Sequence, residues 1–118
     1  MSKQSLLGHF EQIVLTAVVD LDENAYGVTI HGAAGELSHP RRVSLGAVYA
    51  TLDRLEDKGL VASRLSDPRP ERGGRSRRYY RLTPAGTRAL HESVQLARRV
   101  CERLESTWGK KLWNLGPA

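Results

Sequence analysis

The sequence predicts a mainly α fold with one small β-hairpin (α+β), and three patterns predict it. Four stretches carry apolar residues at spacings of three and four, as amphipathic helices do. Two short runs, residues 60–65 and 77–82, read as strands and flank a segment with two prolines and a Gly-Gly pair. The last stretch opens on Thr83-Pro84 and keeps its helical period almost to the end of the chain. The order is three helices, a hairpin and one long helix.

Ser5 is placed to cap a first helix with Leu6, Phe10, Ile13, Val14, Ala17, Val18 and Leu21 on one face. Asp22, Glu23 and Asn24 then signal a second helix, with Asn24 as its cap and Tyr26, Ile30, Ala33, Ala34 and Leu37 as its apolar positions. Gly27, Gly32 and Gly35 make this helix weak alone, so packing must hold it. It stops at the Ser38-His39-Pro40 turn, and Arg41-Arg42-Val43 is a candidate for a very short strand.

Ser44 is a good N-cap for the third helix, residues 44–58, and Gly59 suits the left-handed position that ends it. Its expected buried stripe is Leu45, Val48, Tyr49, Leu52 and Leu55. The opposite face carries Ala47, Ala50, Thr51, Arg54 and Lys58, with small residues at the N-terminal end that let it approach another surface closely. In the hairpin, residues 60–82, Tyr80 and Leu82 share the inward face, while Tyr79 and Arg81 face outward. The connection reads as a long, mobile loop rather than a tight turn.

Thr83 as cap and Pro84 at the first helical position start the final helix. Leu90, Val94, Ala97, Cys101, Leu104, Trp108 and Leu115 form a heptad-like seam, with Lys111 in its one missing slot. A helix over residues 84–112 is roughly 43 Å long, whereas about 80 preceding residues fold into a body about 30 Å across. Its far half needs a partner for Leu104, Trp108 and Leu112, and an identical chain is the simplest supply. The chain therefore divides into residues 1–83 and a C-terminal dimerisation helix and tail, residues 84–118.

Eleven of the eighteen Lys and Arg residues fall within residues 41–81, against five Asp and Glu; this window is +6 and the remainder −1. Such local charge is an electrostatic footprint for phosphate. The bulk composition, 40% hydrophobic and 26% charged, is globular. No apolar run reaches the roughly 18 residues that span a bilayer, the first residues lack the pattern of a signal peptide, and Cys101 is the only cysteine. A cytoplasmic protein with no membrane partner is expected. His9, His31, His39 and His91 show no metal-ligand spacing. With no phosphate loop, nucleophile elbow or paired carboxylates, neither enzymatic activity, a metal nor a cofactor is expected.

Three helices, a two-stranded wing and a long last helix give the order of a winged helix-turn-helix protein. The strings EQIVLTAV (11–18), AYGVTI (25–30), SLGAVYATLDRLEDKGLV (44–61) and RYYRLTPAG (78–86) resemble those of the PadR family of bacterial transcriptional regulators. The match runs from residue 11 to about residue 90; the final helix agrees in position and period alone. The resemblance implies a homodimeric regulator that binds double-stranded DNA, most often a repressor released by a small-molecule effector or another signal; a two-fold dimer suits an inverted-repeat operator. It implies that residues 44–58 enter the major groove, that the wing, residues 60–82, touches the adjacent minor groove and phosphates, and that the last helix pairs with its mate.

The candidate DNA contacts follow. Ser44 caps the recognition helix and can meet a phosphate, since helix N-termini favour anions. Tyr49 combines a core-facing ring with a hydroxyl that, by the resemblance, reaches phosphate. Ala47, Ala50 and Thr51 have the size for thymine-methyl contacts, and Arg54 can bridge to phosphate or simply stay solvated beside Asp53 and Asp57. In the wing, Arg72, Gly73, Gly74, Arg75, Arg77 and Arg78 are the sharper signal, because arginines beside a Gly pair can enter a minor groove while the backbone comes close. The candidate dimer interface is Leu90, Val94, Ala97, Cys101, Leu104, Trp108, Leu112 and Leu115. Trp108 is also the candidate effector contact, and Cys101 reads as a small apolar residue of the seam. Two alternatives stay open: a protein-interaction adaptor acting through the long helix, and a sensor of lipophilic ligands at the dimer interface.

Overall fold

In the computed structural model, residues 7–114 are described, with side chains as far as Trp108. Helices α1 (His9–Leu21), α2 (Gly27–Ser38) and α3 (Leu45–Asp57) precede an antiparallel hairpin of β1 (Val61–Leu65) and β2 (Arg78–Leu82), and α4 (Pro84–Asn114) follows. Val61 pairs with Leu82, Ser63 with Tyr80 and Leu65 with Arg78. Val14, Leu15 and Val18 of α1, Ile30 of α2, Val48, Leu52 and Leu55 of α3, and Val61 and Tyr80 of the hairpin close one core. This is the predicted α+β winged-helix order.

The boundaries set by local chemistry stand where the residues put them. Ser44 Oγ accepts from the Ala47 amide at 3.0 Å, satisfying one of the free N–H groups of α3. At the other end, Leu60 N donates to Leu55 O and Gly59 N to Glu56 O, with Gly59 at φ 76°; these are the paired bonds of a Schellman stop. Thr83 caps α4 by accepting from Gly86 N at 3.0 Å and ties it to α3 by donating to Gly59 O at 2.6 Å.

Four expectations change. Helix α1 begins at His9 with Gly8 before it, whose amide donates to Glu11 Oε1 at 2.9 Å; Ser5 and Leu6 lie outside the described residues. Asn24 belongs to a short 3-10 turn rather than capping α2, and Tyr26 is extended rather than helical. The sheet edge claims this stretch: Tyr80 N donates to Ala25 O at 2.9 Å, and Tyr26 bridges Tyr79. Residues 41–43 accordingly form no strand; the third strand-like segment is at residues 25–26. On α3, Leu45 and Tyr49 are 39% and 42% exposed, whereas Thr51 is 1% exposed, so the buried stripe is Val48, Thr51, Leu52 and Leu55.

Helix α4 has 31 residues, about 46 Å at 1.5 Å per residue, and the molecule extends 61 Å along its longest axis. Leu90 packs against the domain's own core, so the free part of the seam starts at Val94. From there Ala97, Cys101, Leu104 and Trp108 are all exposed, as are Leu96 and Val100. The side chain of Leu112 and all of Leu115, both assigned to the candidate dimer interface, lie outside the described residues.

Candidate nucleic-acid interface

The N-terminal half of α3 presents Ser44, Gly46, Ala47 and Ala50 to solvent. None of these four carries a side chain long enough to hold another surface away from the helix backbone, and the exposed Leu45 and Tyr49 flank them. Thr51, expected on this open face, is instead buried, and its Oγ1 accepts from Arg54 Nη2 at 3.1 Å. Within the chain, this bond holds Arg54 along the helix. Tyr49 leaves the core and lies over the first turn of α2, its hydroxyl in the space that a Cβ on Gly27 would need. The sequence pattern could not have signalled this pairing, because a glycine in a weak helix has many explanations.

The wing folds back toward α3 at Tyr49 and Asp53. Tyr26, Val28, Tyr49, Asp53, Arg72, Arg75, Arg77 and Arg78 are among the residues lining an open cleft of about 810 Å³ between wing, α2 and α3. Four arginines and the N-terminus of α2 line it together with two carboxylates, Asp53 and Glu71, and the net positive charge favours an anionic chain.

Three of those four arginines also have partners within the protein. Arg77 stacks over the Tyr26 ring, 3.9 Å from its centroid, while Tyr26 and Tyr79 meet edge to face at 5.5 Å and Arg64 lies 5.1 Å over Tyr79. The hydrogen bond from Arg77 Nη1 to the Tyr79 hydroxyl, 3.4 Å, lowers the phenol's pKa and raises the guanidinium's. Arg78 donates to Ser63 Oγ at 2.8 Å, which in turn donates to Glu56 Oε2 at 2.7 Å. Arg72 binds oxygens of its own loop. The Arg75 side chain is exposed and donates only to Arg72 O, at 3.4 Å. Gly73 and Gly74 adopt φ values of 66° and 77°, and an added Cβ would meet nothing within 4 Å at either, so conformation rather than space requires glycine there.

Charge near the helix entrance extends further than the predicted set. Arg41 and Arg42 are exposed and, with Ser44 and Ala47, line a second cleft of about 710 Å³ on the α1 side of α3. Their signal was the basic window itself; no motif marked them. Asp53 and Tyr26 were also passed over as cleft residues, the first because it is acidic and the second because it read as helical.

The transcriptional regulator PadR-like family matches this chain over residues 14–92, from the core of α1 through the wing into α4. The chain belongs to that family. Among its relatives, the Mycobacterium tuberculosis transcriptional regulator Rv3488 is 49% identical over 80 residues, covering 64% of this chain and 65% of the relative. The chain thus spans just under two thirds of that relative's length. A PadR family transcription regulator from hypervirulent Clostridium difficile superposes with a TM-score of 0.71 at 26% identity, over 84% of this chain and 97% of that one. The Aeropyrum pernix ORC1 protein, solved in complex with DNA, superposes with a TM-score of 0.60 at 26% identity over 78% of this chain but 26% of its own. Among the described residues no cluster of His, Cys, Asp and Glu is placed to hold a metal, and no helix is long and apolar enough to cross a membrane.

Proposed function

We propose that this PadR-like protein is a homodimeric DNA-binding transcriptional regulator that represses a nearby operon from an inverted-repeat operator. The observation that carries the proposal is the cleft in which Tyr49 and Asp53 of α3 face the arginine-bearing wing. Ala47 and Ala50 let α3 sit deep in a major groove, and Ser44, Tyr49 and Arg54 supply polar contacts around it. Arg75, beside the Gly73-Gly74 backbone, reaches the neighbouring phosphates or minor groove. Support from likeness is the DNA carried by the ORC1 neighbour. DNA as the partner places its action in the cytoplasm.

Dimerisation rests on the projecting half of α4, where Leu96, Val100, Leu104 and Trp108 stand exposed on a single chain. Pairing two copies there sets two recognition helices against half-sites about one helical turn, roughly 10–10.5 bp, apart. Trp108, 48% exposed before pairing, is the contact through which a small-molecule effector at the dimer seam would act, and quenching of its fluorescence across lipophilic compounds reads that step.

The test is DNA selection from a random duplex library followed by titration of the selected site across a salt series. Arg75→Ala should lower the slope of log affinity against log salt by about 1 and weaken all sequences alike. A monomer by sedimentation, or a protein that binds no duplex at low salt, overturns the proposal.

A further inference from the structure

The segment joining the two wing strands runs from Ser66 to Arg77 and has a defined internal course. Ser66 N donates to Arg77 O at 2.8 Å and Arg77 N returns a bond to Ser66 Oγ at 3.0 Å, closing its base. Beyond them the chain turns through a 3-10 segment, Pro70–Arg72, and two left-handed glycines. Gly74 N and Arg72 N both donate to Arg69 O, at 2.9 and 3.0 Å. One side chain crosses this loop. The Arg72 guanidinium donates from Nη2 to Ser66 Oγ at 3.2 Å and to Asp67 O at 3.1 Å on the outgoing arm, and from Nε to Arg75 O at 3.3 Å on the returning arm.

We infer that Arg72 is a positioning residue that clasps the two arms of the wing loop and so presents Arg75 to DNA, and that it is not itself a phosphate contact. The inference rests on the DNA-binding reading and changes the role of one residue within it. The chemistry singles out arginine: a planar fork with five N–H donors spans three acceptors on two arms, whereas a lysine ammonium keeps the charge but offers a single point of donation. Arg72 is also only partly exposed, unlike Arg69 and Arg75 on either side of it. Charge at residue 72 is therefore incidental, and fork geometry is what matters.

The test separates charge from geometry with Arg72→Lys and Arg72→Ala, each alone and combined with Arg75→Ala. In the DNA-free protein, both single variants should speed amide hydrogen exchange across residues 66–77, at Ser66, Gly74 and Arg77 above all, while the thermal midpoint stays unchanged because the loop lies outside the core. Unchanged exchange overturns the clasp whatever the protein binds. On the selected duplex, Arg72→Lys should lose as much affinity as Arg72→Ala, and both should reduce the salt slope by about 1, one phosphate contact. In the Arg75→Ala background the same changes should add less than a twofold loss, the non-additivity expected when one residue acts through another. Wild-type affinity and slope in Arg72→Lys, or losses that add in full to those of Arg75→Ala, make Arg72 a direct charge contact and overturn the inference. Binding of no duplex by the wild type would sink the DNA reading, while the exchange measurement would still decide the clasp.

Discussion

The hydroxyl of Tyr49 and the missing side chain of Gly27 share one volume: the phenol on the recognition helix lies across the first turn of α2 because residue 27 has no Cβ. Gly27→Ala forces one of them to move, and the end of a tyrosine side chain moves more cheaply than a helix. The fold should survive, with a thermal midpoint within a few degrees of wild type, while Tyr49 swings away from the place where, in the proposed complex, its hydroxyl meets a phosphate. Loss of a hydrogen bond to a charged group costs about 1.5–3 kcal/mol, so duplex affinity should fall at least tenfold. Tyr49→Ala should fall as far, and the double variant no further, in anisotropy titrations at one salt concentration.

Gly86 meets a harder neighbour. A Cβ there would run into the carbonyl of Leu60, the same oxygen that accepts from Thr83 N at 3.0 Å. That oxygen is backbone and already pairs with the residue that caps α4, so Gly86→Ala must push the start of α4 off the hairpin. Overpacking of this kind costs about 1–3 kcal/mol, which lowers the thermal midpoint by roughly 4–8 °C for each kcal/mol in a domain of this size. Calorimetry at fixed protein concentration reads it, and a midpoint within 2 °C of wild type would show that the contact relaxes without cost.

These two glycines also show where sequence reasoning stops. Ser44, Gly59 and Thr83 could be assigned from local chemistry alone, since a cap or a left-handed stop involves residues only a few positions away. Tyr80 was legible as inward-facing because alternation in a strand is local too. The stripe on α3 was not, because residues 45, 48, 49, 52 and 55 satisfy helical spacing as well as 48, 51, 52 and 55 do, and a tyrosine reads as more apolar than a threonine. The choice between them is made by Gly27, which opens a place for Tyr49 outside the core. Tyr26 was misplaced for the same kind of reason: its partner, Tyr79, is distant in sequence. In the wing the positive charge was plain, but the partners that engage Arg72, Arg77 and Arg78 are loop oxygens, a ring and a serine that no linear pattern pairs with them.

Glu11 and Lys58 tie α1 to the end of α3 through an ion pair of 2.7 Å, the only salt bridge among the described residues. Burial works to raise the Glu11 pKa, but the Lys58 ammonium and the Gly8 amide together outweigh it and hold it below the ordinary 4.5. A carboxylate with a depressed folded pKa adds stability that is present above its unfolded pKa and is lost as pH falls through the folded value. Glu11→Gln keeps an oxygen for Gly8 but removes the charge. It should cost about 1 kcal/mol at pH 7, a modest figure because Lys58 is half in water. The gap between wild type and variant should close as pH drops below 4.5. Denaturant unfolding at a series of pH values measures it, and a gap independent of pH would mean that the pair acts through packing alone.

Asp53 is the exposed carboxylate that α3 contributes to the cleft opposite the wing arginines, and no ion pair neutralises it among the described residues. The arginines lining that cleft include three engaged elsewhere: Arg72 with loop oxygens, Arg77 with the Tyr26 ring and Arg78 with Ser63. A bare carboxylate beside a phosphate track weakens binding to every duplex. It can also only accept hydrogen bonds, so the base edge it suits is a donor such as the cytosine amino group in the major groove. Asp53→Asn should therefore act in a direction opposite to the wing variants, raising affinity for arbitrary duplex several-fold while flattening preference at one base pair of each half-site. A full bidentate base contact discriminates by about 1–3 kcal/mol, and a single acceptor should fall at the lower end. Parallel selection of wild type and Asp53→Asn from one random library reads both effects. Matching base preferences and matching non-specific affinities would show that Asp53 faces solvent in the complex, and the choice of base would then rest on Ala47, Ala50 and the shape of the groove.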